Sequence, residues 1–394
     1  MVIKVILSNI SWRFLKGFLQ FFSMILIVRS IEISEYGWYV MTISSFELIA
    51  LFCLPGAVKI ALRSSLGDDG NFQKLLGLRF FLAPLLLFGF ILVPNALAIY
   101  ILIAVFADHL SMFARVKLNH YKKYFIFNLL ESLGPLLIII FICLYIFVFQ
   151  QNLTLEILVQ VYCFFSILLF MLSVIIALRI TDFSILLELP NLELAKQSLY
   201  ASGNGLISQS MRRGAVVIAA TFLSVSEAAY VNIALQFLTI FTMIYSGFSL
   251  SLTRDTYDMK ISISRIINNY YLPLLLLISV IIFCSIGLFI YGEELIISIF
   301  GKDSSDASSI VYLMPLILLF QLPQLLIMGF FMRLKRELLI LKLNVSSIII
   351  FIPISLILST SIFNLTLILI GFVSFTSLIY ILTMRSILIE IKNA

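Results

Sequence analysis

Two stretches of the sequence place cationic side chains at helical spacing beside amides and hydroxyls. Asn9, Arg13, Lys16, Gln20 and Ser23 fall within an arc of roughly 80° at ~100° per residue. Phe14, Leu15, Phe18, Phe22 and Ile25 occupy the rest of that helix. Asn204, Ser208 and Arg212 repeat the theme at i, i+4 and i+8, and Arg213 follows on a different face. A guanidinium makes bidentate, charge-assisted hydrogen bonds to phosphate oxygens. Arg13, Lys16, Arg212 and Arg213 are therefore the candidates for holding a phosphorylated anion. Gln20, Asn204, Ser208, Asn232 and Gln236 supply neutral donors and acceptors of the kind that suit sugar hydroxyls. Glu47, Asp108 with its neighbour His109, and Glu131 are candidates for binding a proton or small cation. Glu47 is also placed to pair with Lys16, Asp108 with Arg115, and one of the two arginines with Glu227.

The elements that must position these groups follow from the solvent the composition demands. Of 394 residues, 62% are hydrophobic and 12% charged, where a soluble domain is about half apolar and a quarter charged. Mean hydropathy is +1.15 over the whole length, so the excess is not one anchor. A soluble enzyme, a globular nucleic-acid binder and a disordered chain are excluded, and the net charge of +6 is not read as a nucleic-acid signal. At ~20 residues per span the chain accommodates about twelve, expected near 10–30, 37–57, 75–93, 95–114, 124–148, 154–178, 199–223, 229–250, 268–291, 308–332, 337–358 and 363–384. Pro94-Asn95 and Ser359 to Asn364 mark tight hairpins between neighbouring spans. Gln20, Glu47, Asp108, Glu131, Arg212 and Arg213 then lie inside the bilayer, where a charge costs ~2.5 kcal/mol or more and signals function.

Basic residues set the expected orientation. With both termini cytoplasmic, the inner segments carry Lys59, Arg63, Lys74, Arg79, Arg115, Lys117, Lys122, Lys123, Arg179, Lys196, Arg254, Lys260, Arg265, Arg333, Lys335, Arg336, Lys342, Arg385 and Lys392. The outer ones hold Arg29 and Lys302, the longest running from Tyr291 to Asp306. The start lacks the uninterrupted apolar run of a cleavable signal peptide, so the first span is expected to remain. Residues 181–198, mixing Asp182, Glu188, Glu193 and Lys196 with Leu and Ile, are expected to form an interfacial amphipathic linker. It would join a lobe over 1–180 to one over 199–394. A weak repeat supports two halves: Ile10-Ser11 through Lys16-Gly17 recurs at Ile207-Ser208 through Arg213-Gly214. Six spans per half keep both copies in one orientation, so the repeat is parallel.

No constellation for catalysis is present. His109 and His120 do not make a metal cluster, Asp68-Asp69 flanked by Gly67 and Gly70 reads as a turn, and there is no P-loop. Cys53, Cys143, Cys163 and Cys284 sit in apolar runs without CxxC spacing and read as buried hydrophobes. The expectation is a transporter without cofactor or metal, not an enzyme.

An N-terminal cationic amphipathic span, the turn Ser34-Glu35-Tyr36-Gly37-Trp38-Tyr39, and a second span ending in Gly56-Ala57-Val58-Lys59-Ile60-Ala61-Leu62-Arg63 together resemble the opening of Wzx-type polysaccharide repeat-unit flippases. These belong to the multidrug/oligosaccharidyl-lipid/polysaccharide (MOP) exporter superfamily. Ser208 to Gln236 is similar to the start of that family's second half, departing at Ala229 where a glycine is expected. The resemblance implies an all-α polytopic fold of about twelve transmembrane helices in two pseudo-twofold six-helix lobes around a central cavity. It also implies alternating access in a bacterial inner membrane. The cargo would be a polyprenyl-diphosphate-linked oligosaccharide, an O-antigen or capsule repeat unit of lipopolysaccharide or polysaccharide biosynthesis, moved from the cytoplasmic to the periplasmic leaflet. Expected partners are membrane lipids, a polysaccharide polymerase and a chain-length regulator, and no nucleic acid.

Within the superfamily the rival is a MATE-like ion-coupled drug antiporter, whose cationic cargo calls for an acidic, aromatic cavity. A peptidoglycan-precursor flippase generally has fourteen spans, which 394 residues barely hold. An O-antigen polymerase, a membrane enzyme, calls for a large basic outer loop. A polytopic glycosyltransferase calls for an acidic pair in an early outer loop, and Asp68-Asp69 lies on the inner side.

Overall fold

A computed structural model describes residues 2–53, 69–93, 95–121, 123–181, 188, 192–239, 263–333 and 337–393. Among these, the regular structure is helical throughout. In chain order, the helices of the first half are α1 Val2–Ser30, α2 Ile33–Cys53, α3 Asp69–Leu82, α4 Ala98–His120, α5 Tyr124–Cys143 and α6 Leu155–Ile180. They are followed by α7 Leu192–Phe222 and α8 over 225–239, which runs into residues outside the described set. The last four are α9 Ile263–Phe300, α10 Met314–Arg333, α11 Glu337–Leu358 and α12 Ile362–Asn393. Eight helical stretches are long and apolar enough to cross a bilayer: Gln73–Ile91, Ala98–Leu118, Tyr124–Val148, Leu155–Ile180, Leu274–Phe300, Lys302–Gln324, Leu338–Leu358 and Ile362–Ile387. The chain is an all-α, multi-pass membrane protein. The other four expected spans fall on α1, α2, α7 and α8, which are the most polar helices or border residues outside the described set.

Local chemistry accounts for the interruptions. Pro84 follows the α3 terminus and cannot donate to the preceding turn, and the chain tightens into a 3-10 segment, Ala83–Phe88, before Gly89–Leu92. Phe46 of α2, fully buried, seats on Gly89, where a Cβ would strike its ring, and meets Phe90 edge-on at 5.5 Å. The expected tight hairpins form. Asn95 Oδ1 accepts the Leu97 N–H at 2.9 Å, and Ser361 Oγ accepts the Asn364 N–H at 3.2 Å at the start of α12. Thr154 caps α6 in the same manner.

The chain divides into two compact units, Met1–Ser202 and Gly203–Ala394. In the first, Leu75, Leu76, Leu110, Phe113, Ala114, Val116 and Ala177 form a core that also takes in Leu194 of α7. Residues 192–198 are the first turns of α7, with Leu194 in the core of the first unit. Nearby, a Cβ on Gly77 would fall on the Glu188 carbonyl, so backbone lies directly against α3. Residues 182–187 and 189–191 lie outside the described set. In the second unit Tyr380 stacks on Phe331 at 5.6 Å, and its hydroxyl donates to Asn344 Oδ1 at 2.7 Å. Ser377 donates to the Phe320 carbonyl at 2.6 Å, one turn before Pro323 in α10.

Two expectations are corrected. The outer loop from Tyr291 to Asp306 is largely helix: α9 continues through Phe300, carrying Glu293 and Glu294. Gly301 turns the chain at φ +98°, and Lys302–Ala307 is a 3-10 segment. Carboxylates on one face of an otherwise apolar helix break a hydropathy run without breaking the helix. Arg79, Arg115 and Lys117, assigned to inner loops, are buried residues of α3 and α4. The motif at 56–63 and the inner segments at 54–68, 240–262 and 334–336 lie outside the described residues.

Candidate functional site

The first unit gathers charged side chains from five helices at mid-span. Lys16 stands at the centre of α1, and its Nζ lies 3.2 Å from Glu131 Oε2 of α5. Trp12 against Phe125, edge-to-face at 5.6 Å, fixes the same helix pair. The partner of Lys16 is thus Glu131 and not Glu47. Asp108, midway along α4, accepts a hydrogen bond from Arg115 Nη2 at 2.6 Å, the pairing the spacing allows. Arg115 also donates to Ser111 Oγ at 2.6 Å, and Ser111 donates to the Asp108 carbonyl at 2.7 Å. Lys16 acts on Asp108 electrostatically, which joins the two pairs into one cluster.

Arg79 completes it from α3. It is 3% exposed, donates to the His109 carbonyl at 2.9 Å, and lies 4.6 Å over the Phe113 ring. The charges of Arg79, Glu47, Asp108 and Arg115 all bear on the His109 ring. Summed, Lys16, Arg79 and Arg115 balance Glu47, Asp108 and Glu131. Asp108 is nevertheless 57% exposed. A mid-span carboxylate is tolerated when paired, as Asp108 is with Arg115, or against an aqueous face. Phe14, Phe18 and Phe22, exposed on the opposite side of α1, mark a lipid-facing one.

The sequence stripe on α1 is resolved unevenly. Gln20 is exposed, and Ser23 turns back on its own helix, donating to the Gln20 carbonyl at 2.8 Å. Arg13 lies on α1 and Asn204 and Ser208 on α7, with side chains outside the described set. Arg212 and Arg213 sit in the last third of α7, both half-buried, and each bears on the other. Asn232 is buried and Gln236 half-buried on α8.

Glu227 is not the partner of these arginines. It occupies the third position of α8, where its N–H donates to Ser224 Oγ at 3.1 Å, one half of a capping box. Its Oε2 is buried with no hydrogen-bond partner among the described residues. Burial, and then the Asp306 carboxylate, hold the Glu227 carboxyl above its ordinary value. Tyr230 hydrogen-bonds the same Asp306.

Arg79 was not singled out as a site residue; His109 was, beside Asp108. Arg79 was legible as a basic residue inside the expected span 75–93, behind the apolar run Leu75 to Leu78.

No family model and no curated protein matches the sequence. Solved structures do. An inward-facing multidrug resistance MATE family transporter of the MOP superfamily superposes with a TM-score of 0.67 at 12% identity, over 96% of both chains. An outward-facing one gives 0.58 at 13%, over 99% of this chain and 96% of that one. A MATE transporter in complex with MaL6 gives 0.61 at 13%, with the same coverage. Likeness at these identities establishes the fold, which is that of MATE transporters.

Proposed function

We propose that the protein is an alternating-access transporter, and that its cargo is an anionic lipid: an oligosaccharide on a polyprenyl diphosphate, moved from the cytoplasmic to the periplasmic leaflet of a bacterial inner membrane. The observation that carries this reading is the adjacent pair Arg212-Arg213 deep within α7. Two guanidiniums side by side in a membrane helix match the charge and geometry of a diphosphate, to which each can make charge-assisted bonds. Asn232 and Gln236 on α8 supply contacts for sugar hydroxyls. Lys16 contributes through its pairing with Glu131, so its role is to set the field of the first unit. Coupling to an ion belongs to the cluster around Asp108, Glu131 and Glu47.

A second reading, an ion-coupled antiporter of organic cations, is favoured by the multidrug transporters among the structural neighbours and by the exposed Asp108. Reconstituted vesicles separate the two. The purified protein is offered a fluorescent polyprenyl-diphosphate oligosaccharide, and separately a cationic dye. The first reading expects protein-dependent translocation of the lipid and its loss in Arg212→Gln/Arg213→Gln. Dye transport without lipid translocation selects the second.

A further inference from the structure

We infer that α10 is hinged at Pro323 and that the Ser377 hydroxyl of α12 is the latch that holds the hinge, so that the second unit carries a bending step of its own, whatever its cargo. Pro323 stands inside α10. A proline ring supplies no N–H and crowds the carbonyl four residues back, here that of Leu319. The turn before it is therefore opened, and its carbonyls become available to other donors. One of them, Phe320, receives Ser377 Oγ at 2.6 Å from a different helix. Hydroxyls elsewhere in this unit turn back on their own backbone: Ser347 to Leu343, Thr366 to Ile362 and Thr376 to Phe372, each at 2.8 Å. The serines beside the prolines of α5 and α11 do the same, Ser132 to Asn128 and Ser355 to Ile352. Ser377 leaves its own helix because the turn before Pro323 offers it an acceptor.

Gln324, the residue after Pro323, adds a second contact and a fault. It is 3% exposed and hydrogen-bonds the Tyr380 hydroxyl. Ser377 and Tyr380 lie three residues apart on α12 and so share a face. Together they straddle the hinge, Ser377 on the turn before Pro323 and Tyr380 on the residue after it. The Tyr380 O–H is committed to Asn344 Oδ1 of α11 at 2.7 Å, so Gln324 meets Tyr380 as a donor, through Nε2. Gln324 Oε1 is left buried with no hydrogen-bond partner among the described residues. An amide oxygen in that state has lost its water without replacing it. That loss narrows the gap to an arrangement in which α10 beyond Pro323 has turned far enough for water to reach the oxygen. Beyond the hinge, Phe331 of α10 stacks on Tyr380 at 5.6 Å, so the same tyrosine also seats the segment that would move. An opened turn, a hydroxyl from another helix and an orphaned amide oxygen thus coincide within residues 320–324, which is the make-up of an element with two discrete arrangements.

Hydrogen exchange of the full chain in lipid nanodiscs, read by mass spectrometry, tests the hinge. Ser377→Ala is expected to speed amide exchange over 320–331 by about tenfold or more, with 363–370 of α12 unchanged. Ser377→Thr keeps the hydroxyl and should exchange as the parent does. In a Pro323→Ala background the Leu319 carbonyl regains its donor, and the effect of Ser377→Ala should vanish. Unchanged exchange in Ser377→Ala, an equal rise over 363–370, or the same rise with and without Pro323 overturns the hinge. The measurement needs no cargo, so it stands or falls separately from the transport reading.

Discussion

At the scale of single residues, the sequence showed which side chains were out of place in a membrane but not whom they would meet. Arg212 and Arg213 were visible because nothing apolar explains two arginines in mid-helix. Arg115 was hidden because it follows Asp108, His109 and Ser111, and a positive residue near a span end is usually read as a loop marker. Lys16 found Glu131, 115 positions away, and not Glu47; helical spacing orders residues on one helix and is silent on which helix packs beside it. The Lys16–Glu131 pair is partly exposed, so Glu131→Gln should lower stability by about 1–2 kcal/mol, measured as a thermal shift in detergent. The exchange Lys16→Glu/Glu131→Lys should recover most of that loss if the pair is structural. Glu227 gives a pH dependence with a defined sign. Its native pKa is raised, so the folded state holds the proton more tightly than the unfolded chain does. Its contribution is full below the ordinary glutamate value of about 4.3 and is lost as pH rises through the raised value. Melting curves of Glu227→Gln should be flatter across this window than those of the parent; parallel curves would remove Glu227 as the source.

At the scale of elements, hydropathy located the helices and misjudged their ends. The α9 extension through Glu293 and Glu294 to Phe300 shows why: amphipathic turns at an interface look like loops when only the mean is read. The tight hairpins were legible because Asn95 and Ser361 carry their own turn chemistry. The packing of backbone near Glu188 against α3 was not legible, since Gly77 is one of 17 glycines and its neighbour lies over 100 residues away. That contact is backbone on backbone and has no rotamer to yield. Gly77→Ala should destabilise the first unit by about 1–3 kcal/mol, with Gly214→Ala, where a Cβ meets nothing within 4 Å, as the near-neutral comparison. Equal shifts in the two variants would show that the close approach contributes nothing.

At the scale of the whole molecule, composition alone established a polytopic helical protein, and the superposition with MATE transporters gives that class a fold. The division into units at Ser202/Gly203 lies a few residues from the expected start of the second half, yet it falls inside α7, because a helix that begins in one core need not end there. Cargo is the property least visible in fold, since one scaffold serves different ligands through a few side chains. On the proposed function those are Arg212 and Arg213, and the proposal depends on them. The most direct measurement of the proposed function is made in the organism that carries the gene. When the gene is deleted, surface polysaccharide should disappear while single lipid-linked repeat units accumulate on the cytoplasmic leaflet. Re-expression should restore export, and Arg212→Gln/Arg213→Gln at equal protein level should not. Intact polysaccharide in the deletion strain, accompanied by heightened sensitivity to cationic drugs, would contradict the account.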